Sequence, residues 1–188
     1  MFKDGTFELI DLSNPFGRGN PLWPSNGDFH IDRVQHMPMH YRLLQTFNDF
    51  HMHNSTHADS PAHVIPESPF THELPIQNYF GEAVCLDIPK GKWELITVEE
   101  YEEMFGHPAI EDFPEWEPCH DILMANNVMG IENLGGDLDK VTNQRFLFCA
   151  FPLRWYMGDG TIVRAVAFVP SDRIDRSVPD KEYPYGVY

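Results

Sequence analysis

Three histidines and an aspartate in one short segment have the types and spacing of ligands for a divalent metal. These residues are His53, His57, Asp59 and His63. All four have odd numbers, so in an extended segment their side chains would share one face, where His51 would join them. Imidazole nitrogen and carboxylate oxygen are donors that suit Zn²⁺, Mn²⁺ or Fe²⁺. The pattern therefore predicts a metal site of the kind that activates water.

Two other interpretations of this histidine-rich segment are weaker. Eight of the ten histidines fall within residues 30–72, so a polar surface loop is the plain alternative. A helical H-x-x-x-H zinc pair, His53 with His57, would lack the adjacent Glu of the helical protease motif. Pro61 also opposes a long helix here. We therefore prefer the extended metal-binding interpretation.

Length, composition and charge limit the classes of function. The chain has 188 residues, a hydrophobic fraction of 42% and a formal net charge of −16. This length predicts a single domain over residues 1–188, with a polar tail at 171–188. Phosphate binding needs clustered Lys and Arg, so nucleic acid and anionic membranes are not expected partners. No apolar run reaches the ~18 residues of a membrane span and the start has no signal-peptide core, so we expect a cytoplasmic protein.

The elements that must position these side chains are mostly strands. Strands are predicted at Phe7–Phe16, Glu82–Ile88, Arg145–Leu153 and Thr161–Val169, with a turn at Met157–Gly160 between the last two. A short helix that begins with a capping box is predicted at Ile96–Phe105. Asp121–Leu134 predicts a short helix, a turn at Gly130 and the start of a strand. The fold class is therefore α/β and strand-rich.

The segment HNSTHADSPAH, His53–His63, resembles the H-x-G-T-H-x-D-x-P-x-H signature of the cyclase-type metal-dependent hydrolases. That family includes kynurenine formamidase and isatin hydrolase. Further motifs match in order, namely DLSNP, PLWP, His120 twelve residues before Glu132, ENLGGDLDKVT and GDGTIVRAVA. The resemblance covers most of residues 8–170. It implies a swivelling β/β/α fold that assembles as a homodimer or homotetramer.

The resemblance also implies roles for individual residues. The implied metal ligands are His53, His57, Asp59, His120 and Glu132. Asp59 would be able to bridge two ions, while His120 and Glu132 would complete a second metal site or orient the first. His63 would transfer a proton, and Trp23 would pack on the substrate. The implied cofactor is one or two divalent ions, Zn or Mn.

This sequence departs from the family pattern in two places. The glycine of the signature is replaced by Ser55, which Asn54 precedes. The stretch between Glu103 and Asp112 is short, because related chains carry roughly one βαβ-sized unit of ~30 residues there. Walls of the substrate pocket and subunit contacts therefore cannot be transferred directly from the family.

The candidate ligands together with the resemblance predict hydrolysis of an amide, formamide or cyclic amide C–N bond, and the resemblance implies a small aromatic substrate. A carboxylate at Glu132, beside apolar residues, is costly unless it is paired or bound to metal. The absence of a G-x-S-x-G motif favours direct attack by water over an acyl-enzyme. The rival hypothesis is a metal- or small-molecule-binding homologue that lost turnover with the short middle segment. A purely structural subunit fits poorly with five clustered ligand-type residues.

Overall fold

The computed structural model describes residues 5–17, 30–37, 39, 41–48, 50–91 and 118–182. Its strands are β1 (Phe7–Asp11), β2 (His30–Gln35), β3 (Leu44–Asn48), β4 (His57–Asp59), β5 (Phe80–Val84), β6 (Ile131–Glu132), β7 (Arg145–Cys149), β8 (Gly160–Ile162) and β9 (Val166–Pro170). Helix α1 spans Pro118–Ala125. Single turns of 3-10 helix lie at Pro61–His63, Thr71–Glu73, Ile76–Tyr79 and Leu138–Val141. The predicted helix Ile96–Phe105 and the short middle segment fall outside the described residues.

The largest sheet has four antiparallel strands in the order β1-β9-β7-β5. Along β9, Ala167 and Val169 are buried while their neighbours are half-buried, which is the alternation expected of a strand with one face on a core. The core consists of Ile10, Leu12, Val141, Phe146, Ala150, Ala165, Ala167 and Val169. Burial of these apolar side chains is the main stabilisation of this sheet.

A second, three-stranded antiparallel sheet has β4 at its centre, in the order β6-β4-β8. The two sheets meet where β1 ends. Leu12 donates its backbone N–H to the carbonyl of Ala165, and Ser13 forms a bridge with Leu134. These bonds hold the short sheet against the end of the core, so β4 is a fixed platform although it is only three residues long.

Strands β2 and β3 form a separate antiparallel pair, which we call the arm (His30–Asn48). Most of its described residues are exposed, in contrast with the strands of the four-stranded sheet. No helix in the described part of the chain is long and apolar enough to cross a membrane.

Several predicted elements are confirmed, but their bounds shift. Strand β1 begins at Phe7 as predicted, and β5 spans Phe80–Val84 where the prediction was Glu82–Ile88. Helix α1 begins three residues before the predicted start at Asp121. Strand β6 begins directly after Gly130, but the turn lies earlier than predicted, at Asn126 and Asn127. The strand-rich class is confirmed.

The prediction of one strand at Thr161–Val169 is wrong. Strand β8 pairs with β4, whereas β9 pairs with β1 and β7. Between them the chain changes sheet, and Arg164 turns outward to form a bidentate ion pair with Asp11. The predicted turn at Met157–Gly160 is confirmed, because β7 and β9 pair antiparallel in the register of a hairpin, and an isolated bridge between Pro152 and Val163 continues that register toward the turn. A continuous apolar run does not reveal where a chain leaves one sheet for another.

Candidate metal centre

The central strand β4 carries two of the predicted ligands, and the neighbouring strand β6 supplies a third. His57 and Asp59 are 2% and 1% exposed. Antiparallel pairing with β6 places Glu132 directly opposite His57, and pairing with β8 places Gly160 opposite Asp59. Residues far apart in the sequence therefore meet across one small sheet.

The ring of His57 is oriented by the main chain. Its Nδ1 lies 2.8 Å from the carbonyl oxygen of Ser55. A carbonyl only accepts, so Nδ1 carries the hydrogen. Its Nε2 lies 3.3 Å from Asp59 Oδ1 and 3.7 Å from Glu132 Oε2. A neutral ring would thus direct a lone pair at two carboxylates, which is favourable only when a cation lies among them.

His53 reaches the same place from a turn, not from an extended strand. Ser55 adopts a left-handed backbone with φ of 58°, which folds the chain back before β4 begins. His53 Nδ1 then lies 2.7 Å from Asp59 Oδ1. Burial would lower the pKa of His53, but hydrogen bonds with Asp159 and Asp59 outweigh burial and raise it to about 9. The single-face argument from odd numbering is therefore wrong for His53, and also for His63, which ends the 3-10 turn Pro61–His63. His53 nevertheless lies beside Asp59.

His120 and Glu132 form the other side of the cluster. His120, on α1, has its Nε2 2.8 Å from Glu132 Oε1 on β6 and 3.6 Å from Asp59 Oδ2. The carboxylates of Asp59 and Glu132 raise the pKa of His120 to about 10, against the effect of burial. The hydrogen bond from His120 lowers the pKa of Glu132.

Asp59 is the centre of the arrangement. Burial would raise its pKa, but the imidazoles of His120, His53 and His57 around it hold the pKa well below its usual range. Its Oδ2 is buried and has no hydrogen-bond partner among the described residues. A buried carboxylate oxygen without a partner is costly unless a cation completes it.

The residues present fit a divalent ion. Three sets have ligand atoms within 4.8 Å of one another, namely His53, His57 and Asp59; Asp59, His120 and Glu132; and His53, His63 and Asp159. The first two sets share Asp59, whose two oxygens face different partners. Their imidazole and carboxylate donors are those that Zn²⁺ and Mn²⁺ take. The unpartnered Asp59 Oδ2 is the atom that such an ion would complete.

A comparison with family models decides the family. The Cyclase model matches residues 10–112, more than half of the chain. This chain belongs to the cyclase family. The match contains the whole His53–His63 signature, while His120 and Glu132 lie beyond its end.

Individual members and solved structures are similar to this cyclase chain at low identity. Kynurenine formamidase from Bacillus cereus is 27% identical over 148 residues, covering 72% of this chain and 71% of the relative. Isatin hydrolase A from Ralstonia solanacearum has a TM-score of 0.71 at 20% identity, covering 88% and 93% of the two chains. A structure from Bacillus stearothermophilus, described as a predicted metal-dependent hydrolase, has a TM-score of 0.61 at 19% identity, covering 86% and 98%. The cyclase fold predicted from the resemblance is therefore confirmed.

The structure of this cyclase brings together all five predicted ligands and His63. The ring of His63 stacks on that of His53, with centroids 3.9 Å apart. His51 is exposed and belongs to none of the three ligand sets formed by described residues. Trp23 lies outside the described residues, so its substrate role stays a prediction.

Sequence reasoning missed Asp159, which it interpreted as part of a turn. Its Oδ2 lies 2.9 Å from His53 Nε2 and 3.4 Å from His63 Nδ1. Hydrogen bonding with these two histidines lowers the pKa of Asp159. The available signal was an acidic residue between two glycines inside the GDGTIVRAVA motif, but nothing local connects it with residues a hundred positions earlier.

Aromatic side chains near the candidate ligands in sequence contact one another. Phe50 makes edge-to-face contacts with Phe16 and with Trp155, with centroids 5.6 and 5.7 Å apart. Phe50 precedes His53 by three residues, and Trp155 precedes Asp159 by four. A cleft of about 560 Å³ extends along Phe16, Ser55 and Thr56. None of the predicted ligands lines the cleft, although it adjoins the turn that precedes His57.

Proposed function

We propose that this cyclase is a metal-dependent hydrolase that cleaves the C–N bond of an amide, formamide or cyclic amide in a small aromatic substrate. The observation that carries the proposal is Asp59, a buried carboxylate whose two oxygens face different histidines. Kynurenine formamidase and isatin hydrolase, which this chain resembles, bear names that agree with such chemistry.

The proposed cofactor is one or two ions of Zn²⁺ or Mn²⁺. His53, His57 and Asp59 would hold one ion, and Asp59, His120 and Glu132 are the donors for a second. When bound, such an ion polarises a carbonyl and lowers the pKa of water from 15.7 to about 7. The donor set does not choose between the two metals.

His63 is the residue proposed to move the proton. Its side chain is 29% exposed and stacks on His53, so it is open to solvent and adjacent to a ligand. An imidazole can accept a proton from attacking water and return it to the leaving nitrogen, a role worth ~10²–10⁴-fold in rate. Phe50 and Trp155 offer ring faces and edges for an aromatic substrate.

The first test is metal content per chain, measured by mass spectrometry on protein purified without chelator or nickel. We expect one or two equivalents of Zn or Mn in the wild type and loss of metal and turnover in His57→Ala. His30→Ala is the matched control, because His30 is an exposed histidine paired with Asp32 outside the cluster. No stoichiometric metal after reloading, or a His57→Ala variant with full activity, would contradict the proposal.

The second candidate function is a binding protein that keeps the ligands without turnover. N-formylkynurenine, isatin and simple cyclic amides, presented to metal-loaded protein, separate the two functions. Hydrolysis of any of them supports the enzyme. Thermal stabilisation by a compound that stays intact supports the binding protein.

We also propose that the partner is a second copy of this chain. Seven apolar residues of the arm are between 49% and 91% exposed: Val34, Met37, Met39, Tyr41, Leu43, Leu44 and Phe47. Exposed apolar surface concentrated on one element is typical of an interface, and a standard interface buries ~800 Å² on each partner. A two-stranded pair is also only marginally stable alone. A homodimer or homotetramer would cover this surface, and a cytoplasmic location stays a prediction from the sequence.

A further inference from the structure

The carboxylate of Asp159 lies between two histidines for which the proposed function has separate uses. Its Oδ2 is 2.9 Å from Nε2 of His53, a proposed ligand, and 3.4 Å from Nδ1 of His63, the proposed proton carrier. The two rings stack with centroids 3.9 Å apart and planes 25° from parallel. One oxygen therefore contacts both rings on the same edge of the stack.

Hydrogen bonds to the backbone carbonyls of residues 158 and 159 fix the segment that carries this carboxylate. The backbone N–H and hydroxyl of Ser60 both donate to the carbonyl of Asp159, at 2.8 and 2.9 Å. The backbone N–H and hydroxyl of Thr71 both donate to the carbonyl of Gly158, at 2.9 and 2.8 Å. Four hydrogen bonds to two adjacent peptide units make the segment a rigid support.

The next residue is shaped to admit the His53 ring. A Cβ on Gly160 would lie 2.6 Å from Cε1 of that ring, closer than real Cβ contacts allow. The glycine thus lets the imidazole rest against the backbone of β8, directly beside the Asp159 carboxylate. The segment both admits His53 and supplies its hydrogen-bond acceptor.

Both ring nitrogens of His53 face a carboxylate, Asp59 at Nδ1 and Asp159 at Nε2. Metal-binding histidines usually donate their other ring N–H to a carboxylate, which fixes the tautomer and the ring orientation. If Nδ1 of His53 binds the ion beside Asp59, Nε2 of the same ring carries the hydrogen and donates it to Asp159. The contact of His63 Nδ1 with the same carboxylate leaves Nε2 of His63 for proton transfer.

We propose that Asp159 is a positioning residue that orients His53 and His63 together and so sets the distance between metal and proton carrier. This inference rests on the proposed function for its catalytic consequence. The contacts of Asp159 with His53 and His63 do not depend on that function, because they are present in the structure.

The test uses Asp159→Asn and Asp159→Ala, with Asp32→Asn as the matched control because Asp32 pairs with the exposed His30 at 3.0 Å. In metal-loaded protein we expect the same number of ions at saturation. We expect a 10- to 100-fold weaker metal affinity, which is usual when the carboxylate partner of a ligand is lost. Because proton transfer is also impaired, kcat should fall at least tenfold, while KM should change less than about threefold. The losses should be smaller in Asp159→Asn than in Asp159→Ala.

A measurement on the metal-free full chain separates this proposal from the proposed function. Proton NMR should show a downfield imidazole N–H signal from the His53–Asp159 hydrogen bond. It should be lost in Asp159→Ala and kept in Asp32→Asn. An unchanged signal overturns the positioning role, and so does a saturation count lower by one ion, which would make Asp159 a ligand. A correct NMR result with no metal binding by the wild type overturns the proposed function alone.

Discussion

At the scale of single residues, the centre is a balance of buried charges. Asp59 is almost fully buried at the centre of the cluster. Glu132 and Asp159 lie at the edge of the cluster, with side chains 39% and 44% exposed. Three carboxylates so close together need compensating positive charge. In the metal-free chain that charge is provided by protons on His53 and His120, whose pKa values are raised to about 9 and about 10.

Metal binding should therefore release protons. At pH 7 the raised pKa values keep His53 and His120 protonated, whereas a metal requires both neutral, so roughly two protons should leave as the sites fill. Apparent affinity for Zn²⁺ should rise with pH until about 9 for the ion held by His53 and until about 10 for the ion held by His120. Calorimetry in two buffers of different ionisation enthalpy measures the release. The His120→Gln variant should release roughly one proton, and the control variant His30→Ala should release as many protons as the wild type. If the wild type releases no protons on metal binding, the charge balance is wrong.

The metal-free chain should lose stability as pH rises above neutrality. Both histidines have a higher pKa folded than the value of 6.5 expected unfolded. Their stabilising contribution is complete below pH 6.5 and is lost as pH rises through about 9 and about 10, because the unfolded chain gives up its protons first. Urea unfolding with chelator present, at pH 6, 7.5 and 9, measures the free energy of unfolding. A His120→Gln variant with the same pH slope as the wild type would contradict this.

At the scale of elements, the three-residue strand β4 organises the centre because it is paired on both edges. Strand β6 supplies Glu132 opposite His57, and β8 supplies the glycine opposite Asp59. Helix α1 adds His120 from outside the sheet. The close approach of β8 to the His53 ring is the tightest contact of this assembly, and it depends on the missing Cβ at Gly160.

Gly160→Ala should damage both the fold and the centre. Its Cβ would lie 2.6 Å from the ring of His53, so the ring or the strand must move. Overpacking of this kind costs about 1–3 kcal/mol of unfolding free energy, and displacement of His53 should weaken metal binding. Gly81→Ala is the matched control in a strand, because nothing lies within 4 Å of its added Cβ. Thermal unfolding and metal titration of both variants test this, and equal behaviour of the two would show that the contact is unimportant.

At the scale of the whole molecule, one strand-rich core supports the centre while the arm projects apolar surface. The core cluster lies on the four-stranded sheet and anchors the strand ends that meet β4. The aromatic contacts of Phe47 with Phe16 and Phe50 connect the arm with the segment that leads to His53.

The double variant Met39→Asp/Tyr41→Asp should shift the protein toward the monomer. These residues are 79% and 91% exposed, so charge there costs little in the monomer but opposes burial in an interface. Size-exclusion chromatography with light scattering measures the mass. Ile76→Asp, which is at an exposed apolar residue outside the arm, is the control. A wild-type chain that is monomeric at micromolar concentration would contradict the proposed assembly.

The sequence by itself determined the types of the ligands and most of the local elements. His57, Asp59 and His63 are close in sequence, so a short motif suffices to bring them near one another. Glu132 was predictable because a carboxylate among apolar neighbours is costly without a partner. Strand β1 and helix α1 were found, within a few residues, from local patterns of apolar residues.

Only the tertiary structure decided how these parts meet. The division of the predicted strand Thr161–Val169 between two sheets depends on pairing partners elsewhere in the chain, and periodicity along the strand is the same in either sheet. The same pairing carries Asp159 to His53 and His63, a contact that spans 106 residues in the case of His53. Local pattern reports which face of an element is buried, whereas the partner across a sheet is selected by the packing of the whole chain.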